Sequence, residues 1–458
     1  MSRLLLPALV VGLTVSPITW AQLPYLPPVP KQPTKAEANE VSKLVKQLAD
    51  ADFTKRDQAS ASLEKLGTAA LPLLRDAVRK SDDTEVRRRL EEIIPRLEQA
   101  AALQPTLVSV SFRDLPVRKA VAELSRVGGY KLELSQNGPR QTPTDDPEKR
   151  LISLELKNVP FWQALDRLCE VSGLTFQEGW YGHDQETLRL EFGESHASPM
   201  YVNGAFRITI RGFDYQRSLY FSQGFRQGGP DDGPFHRNES LRIEMYISVE
   251  PRLPLAGVNN QLIFAEAVDD QGQSLLLPAT EYNRYYFGGG TGRSFTQPVN
   301  AMLQPSATGK RIKVLKGSIP VTVIAAQKPK ITVEKILEVK NQTFKEGTTT
   351  LTIEEVTKQG PQNIAVKLSV SEANGKKRTD PGGSYALQNR FCLLDGKGNK
   401  FQSYGGGWSN NGNGNLQGTF HFGPPGGQAV GDPVKLVFYE WTTVSHAVPF
   451  EFHDVPLP

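Results

Sequence analysis

Cysteine is nearly absent: the chain of 458 residues holds two, Cys169 and Cys392. One falls on an apolar helical face and the other on a strand two regions later, so a bridge would need those regions locked together. Two separate buried thiols are expected instead. No cysteine stands near residue 22, which excludes lipid attachment there, and beyond the first twenty residues no run of about 18 apolar residues exists to cross a bilayer. The six histidines never fall into the His-Glu-x-x-His spacing, and no Gly-x-Ser-x-Gly elbow or Gly-x-x-x-x-Gly-Lys phosphate loop occurs. An excess of one charge is missing too. With 53 basic against 49 acidic residues the net charge is +4, and nucleic acid is not an expected partner.

Local groupings that imitate chemistry have plainer accounts. Glu194, Ser195 and His196 are adjacent on the chain, whereas a working triad is assembled from distant parts of a fold. Asp395-Gly-Lys-Gly-Asn399 opens like a calcium loop, but its twelfth position is Gly406 rather than a bidentate Glu, so a hairpin turn is expected. No catalytic residue, metal or cofactor is therefore expected. Paired carboxylates for sugar hydrolysis stay open, because sequence does not reveal their separation.

What is present begins with Arg3, an apolar run from Leu4 to Val15 and Thr19-Trp-Ala21, the layout of a signal peptide over 1–21. Residues 22–35 carry five prolines between Leu23 and Pro33 and read as an extended linker. Over 36–103 apolar residues recur at helical spacing (Val41, Leu44, Val45, Leu48; Leu71, Leu74, Ala77, Val78), giving a small all-α region of short helix pairs that resembles HEAT-like repeats. Arg87, Arg88 and Arg89 are followed one turn on by Glu91 and Glu92, which makes a solvated, paired face the expectation.

The most regular pattern lies between Val108 and Phe176. Offset by 44 residues and without a gap, Val108, Val110, Phe112, Asp114, Pro116, Ala120, Leu124 and Gly129 fall on Ile152, Leu154, Leu156, Asn158, Pro160, Ala164, Leu168 and Gly173. Each copy passes from alternation to helical steps, so each reads as strand, helix, strand, with Asp114 and Asn158 expected to cap the helices and the glycines to end them. Two such units together can close one small α/β domain over 104–194. Val110-Ser-Phe-Arg-Asp-Leu-Pro116 and Leu154-Glu-Leu-Lys-Asn-Val-Pro160, each leading into its helix, resemble the short N-terminal domains of secretins and TonB-dependent receptors. The resemblance implies a periplasmic interaction module, although no secretin pore or receptor barrel follows it.

From Tyr201 onward helical spacing gives way to short alternating runs separated by Gly, Pro, Asn and Asp. Two tandem all-β sandwiches of immunoglobulin-like size are expected, over 199–328 and 329–458, with the boundary at Lys328-Pro-Lys330. The second repeats the feature order of the first: a hairpin with a glycine-bearing turn (267–275, then 392–401), a glycine-rich loop (288–292, then 405–414) and closing long strands. Tyr285 and Tyr286 precede one loop, and Tyr404 and Trp408 flank the other. These four aromatics are the candidate ligand-binding residues, able to stack on sugars or grip a protein chain, unless they pack beneath their own loops. The expected function is an exported, non-enzymatic scaffold of the bacterial envelope, periplasmic or at the cell surface, that binds a protein partner. The alternative is a protein that binds or cleaves wall or extracellular polysaccharide.

Overall fold

The computed structural model describes residues 34–135, 146, 148–178, 187–193, 198–221, 235–258, 262–278, 291–306, 308–360, 362–372, 388–410, 416–424 and 430–458. The expected signal peptide and nearly all of the proline-rich linker lie outside these residues. The chain is multidomain, with helices first, then a small α/β unit, then sheets.

Helices α1 (Lys35–Gln47), α2 (Phe53–Leu66), α3 (Leu71–Lys80) and α4 (Thr84–Ala102) share one core that contains Leu48, Leu63, Leu74 and Leu90. Thr34, Asp52 and Asp83 accept the free amides at three of the starts, and Gly67 ends α2 at φ +68°. Arg88 pairs with Glu92 on the solvated face, whereas Arg89 turns inward and clasps Asp57 of α2.

The α/β unit comprises β1 (Leu107–Pro116), α5 (Val117–Gly128), β2 (Lys131–Leu134), β3 (Leu151–Pro160), α6 (Phe161–Ser172), β4 (Leu174–Phe176) and β5 (Thr187–Phe192). Strands β1 and β3 pair antiparallel, β5 lies between β2 and β4, and one core holds both helices. Leu124 and Leu168 are both buried in it, and Gly129 and Gly173 end the helices at φ +73° and +66°. The 44-residue offset persists in the hydrogen bonds. The first amide of α5, Val117, donates to the Arg150 carbonyl, and that of α6, Phe161, to the Thr106 carbonyl.

Asp114 and Asn158 do not cap the helices as expected. They sit at φ +47° and +58°, left-handed backbone that Asp and Asn tolerate better than most residues. Their amides donate to Ser153 Oγ and Ser109 Oγ, so each copy's serine fixes the other copy's bend.

The β region contains β6 (Met200–Asn203), β7 (Phe206–Phe221), β8 (Phe235–Val249), β9 (Leu255–Val258), β10 (Ile263–Asp269), β11 (Thr291–Ser294), β12 (Thr296–Leu303), β13 (Arg311–Glu334), β14 (Gln342–Glu346), β15 (Thr349–Lys358), β16 (Ile364–Glu372), β17 (Phe391–Asp395), β18 (Gln402–Asn410), β19 (Leu416–Gly423) and β20 (Pro433–Pro456). One long sheet runs β11-β9-β13-β20-β17, with β10 also paired to β13. Sheet β12-β8-β7-β6 covers one end of it and sheet β14-β15-β16-β19-β18 the other, giving two sandwiches with two cores.

The sandwiches are not consecutive in the chain, which corrects the expected boundary. Strand β13 passes through Lys328-Pro-Lys330 without interruption and pairs with β20 from Arg311–Pro456 to Glu334–Lys435. Each long strand begins in one sandwich and ends in the other. Leu436 and Phe438 of β20 serve the second core, while Val444, Val448, Phe450 and Phe452 serve the first. All are in step with the two-residue period of a strand. The apparent break at Pro329 is a bulge, where a ladder tolerates proline.

The repeated hairpin turn is reproduced in the bonds made by its first carboxylate oxygen. Asp269 Oδ1 accepts the amides of Gln271 and Gln273, and Asp395 Oδ1 those of Lys397 and Asn399. Gly272 and Gly398 both stand at φ +83°. Burial would raise the Asp395 carboxyl, but amide donors from Gly431, Asn399 and Lys397 outweigh it and lower its pKa to about 2.

Candidate interaction surfaces

Of the four aromatics singled out in the sequence, Tyr285 and Tyr286 lie outside the described residues. Tyr404 and Trp408 belong to β18, so their stretch is an edge strand through Asn410 rather than the expected loop. The reason is packing. At Gly406 a Cβ would come within 2.6 Å of the Thr419 carbonyl, and glycine there lets β18 close onto β19. Trp408 stands opposite Gly418 in the ladder.

Tyr404 occupies a bulge between Ser403 and Gly405 and is 47% exposed. Its ring lies against Gly423, where an added Cβ would stand 3.0 Å from Cε1, and its centroid is 6.0 Å from the His421 ring. His421 Nδ1 in turn is 3.1 Å from Gln359 Oε1. The outer face of the second sandwich therefore carries a half-open aromatic beside two hydrogen-bonding side chains.

A second candidate surface is an open groove of about 590 Å³ on α3 and α4, floored by Val78 and Ile94. Its rim cations are already engaged, Arg75 with Glu98 and Arg79 with Asp76.

Sequence reasoning missed the junctions that join the modules. Glu250, just past β8, is fully buried. Its carboxylate receives the Thr106 amide at 2.9 Å, Thr106 Oγ1 at 2.7 Å, Tyr130 OH at 2.8 Å and Arg252 Nε at 2.9 Å. Arg252 also donates to the Ala102 carbonyl at 2.7 Å and to that of Gln104. One carboxylate and one guanidinium thus tie the end of α4, the α/β unit and the first sandwich together. Burial first, then the Glu250 charge, pushes the Tyr130 hydroxyl well above its ordinary range, so it stays a donor.

The second junction lies on the outer face of β7. Arg207 is held by Asp166 of α6 at 3.3 Å and by Glu178, and it lies over the Phe176 ring at 5.6 Å. Thr209 Oγ1 donates to the same Glu178 at 2.7 Å, and the Trp162 indole donates to the Ala205 carbonyl at 2.9 Å. Burial raises the Asp166 carboxyl despite Arg207. Nearby Cys169, also desolvated and close to Asp166, has its thiol pushed up to about 12, so it is packing rather than a nucleophile. Both cysteines are free thiols.

Among the described residues no cluster of His, Cys, Asp and Glu could hold a metal, and no helix is long and apolar enough to cross a membrane. No family model matches the chain, and no curated protein does. Among solved structures, the crystal structure of the conserved domain protein from Bacillus anthracis is 9% identical and covers 54% of this chain and 88% of that chain, with a TM-score of 0.15. At that score the likeness carries no argument.

Proposed function

We propose that the chain is an exported, non-enzymatic scaffold of the cell envelope, which binds a protein partner through its short α/β unit and the sandwich surface around Tyr404 and Trp408. The junction at Glu250 carries this reading, because it holds three modules in a fixed relation through one buried carboxylate. Pre-ordering of that kind lowers the cost of engaging a partner at several points at once. Export is supported by the signal-peptide layout of Met1–Ala21, and an envelope setting by the likeness of the repeated α/β unit to secretin and TonB-receptor short domains. The test is cross-linking of the full chain in envelope extract beside Tyr404→Ala. A specific partner should be captured by the wild type and less by the variant, at an unchanged melting temperature. Equal capture by both, or a chain that keeps Met1 in its native host, would overturn the reading.

The polysaccharide alternative has one observation in its favour. A half-exposed Tyr404 ring beside His421 and Gln359 pairs an aromatic face with hydrogen-bonding groups, as sugars require. A glycan array separates the two readings, and measurable glycan turnover would overturn the non-enzymatic assignment.

A further inference from the structure

Two features of the helical region meet at one end of it. The first is the groove on α3 and α4. Its floor, Val78 and Ile94, is half-buried, and Pro72 and Pro95 stand exposed beside it. None of these is among the buried residues, such as Leu71, Leu74, Leu90 and Ile93, that the same helices contribute to the core shared with α1 and α2. In a stack of helix pairs such a face is covered by the next pair. Here α4 leads directly to β1, and the face keeps its apolar floor.

The second feature is the point at which residues 22–33, which lie outside the described residues, join the bundle. They end at Thr34, whose side chain caps α1. A short connection makes α1 and α2 antiparallel neighbours, and a single 3-10 turn, Gly67–Ala70, passes from the end of α2 into α3. Helix α1 packs against that turn and against α3. The start of α1 therefore lies where α3 begins, with Pro72 in its first turn. The Arg75–Glu98 pair at 2.6 Å brings the later part of α4, and with it Pro95, to the same end.

Reach and chemistry both fit. Twelve residues in polyproline form span about 37 Å, whereas the ten residues of α3 span about 15 Å, so residues 22–33 can turn the corner and run the length of the groove. Residues 22–30 read Gln-Leu-Pro-Tyr-Leu-Pro-Pro-Val-Pro, without a charge. The rim cations need no counter-charge from outside, because Glu98 and Asp76 already supply it. A backbone fixed by proline loses little entropy on lying against an apolar surface, and its tether holds it at an effective concentration of about millimolar, so a shallow contact suffices.

We infer that residues 23–30 fold back along α3 and α4 and fill this groove, so that the chain's own proline-rich segment caps its helix pairs. The inference does not rest on the partner reading, and it is tested on the purified chain from Gln22 onward. With p-benzoylphenylalanine in place of Tyr25, irradiation should cross-link the segment within one chain to residues 72–79 or 91–95, at a yield independent of protein concentration. Leu26→Glu with Val29→Glu changes no residue of the bundle. It should lower that yield by about tenfold at an unchanged melt, because it presses unpaired charge against an apolar floor. Ile94→Lys charges the floor instead and should do the same; if it lowers the melt, the segment variant alone decides. Cross-links spread over other parts of the chain, a yield that rises with concentration and joins two copies, or a yield indifferent to Leu26→Glu with Val29→Glu would each overturn it.

Discussion

The two sandwiches share a plan and differ in what lies on their outer faces. In the first, the outer side of β7 presents Arg207 and Thr209 to the α/β unit, and the resulting ion pairs are largely covered. In the second, the corresponding outer face carries Lys367 against Glu354 at 2.8 Å, with half of the lysine side chain exposed. Similar charges thus do different work. Covered pairs hold modules together, because a lone buried partner is costly, while an open pair is screened and leaves the surface available.

Four groups of substitutions would break or sharpen this contrast. The largest effect is expected from Glu250→Gln, which leaves Arg252 buried without its counter-charge. It should cost about 3 to 5 kcal/mol by denaturant titration and open the chain to protease near Gln104–Thr106. A near-silent variant would mean that the junction does not hold the modules.

Next come Leu124→Ala and Leu168→Ala, matched positions of the 44-residue repeat. Each should cost about 2 to 5 kcal/mol, and the two values should be close, since both remove the same buried group from one core. Unequal losses would show that the two halves of the α/β unit do not share the load.

A smaller loss, about 1 to 3 kcal/mol each, is expected for Asp269→Ala and Asp395→Ala, which remove a buried carboxylate that accepts the half-buried turn amides of each sandwich. The Asp395 contribution should also depend on pH. Its folded carboxyl titrates at about 2, below the unfolded value near 3.9, so the stabilisation is complete above roughly pH 4 and fades as pH falls toward 2. Acid titration of wild type against Asp395→Asn reads this directly, because the variant should lose the slope in that window. Lys367→Ala, last, should leave the melting temperature unmoved within error, as expected for an open surface pair.

Much of the fold was legible in the sequence, for identifiable reasons. The 44-residue offset survived because both helices bury the same faces and both end at a left-handed glycine. The paired hairpin turns were visible because Asp at the start and Gly at positive φ are demanded by local geometry. What stayed hidden depends on distant segments. Lys328-Pro-Lys330 has the composition of a linker, and only its partner strand, more than a hundred residues later, makes it the middle of β13. Tyr404 to Gly407 reads as a loop until β19 is placed beside it. Val249-Glu-Pro-Arg252 carries no motif that marks it as a junction. Its burial is conferred by Thr106 and Tyr130, which nothing local announces.

The crossing of β13 and β20 also sets an order of events. A chain emerges N-terminus first, and ordinary tandem domains can fold in that order. Here the first sandwich lacks a strand until residues 443–456 arrive, because Val444, Val448, Phe450 and Phe452 belong to its core. The second sandwich takes its share of β20 earlier, through Leu436 and Phe438. A product cut short after Tyr439 would therefore keep the later sandwich nearly whole while leaving the earlier one open along β13. That slot could be filled by the same strand of another molecule. The end of the chain thus acts as a seal on its middle, and any unfinished copy carries an exposed groove that distinguishes it from a finished one.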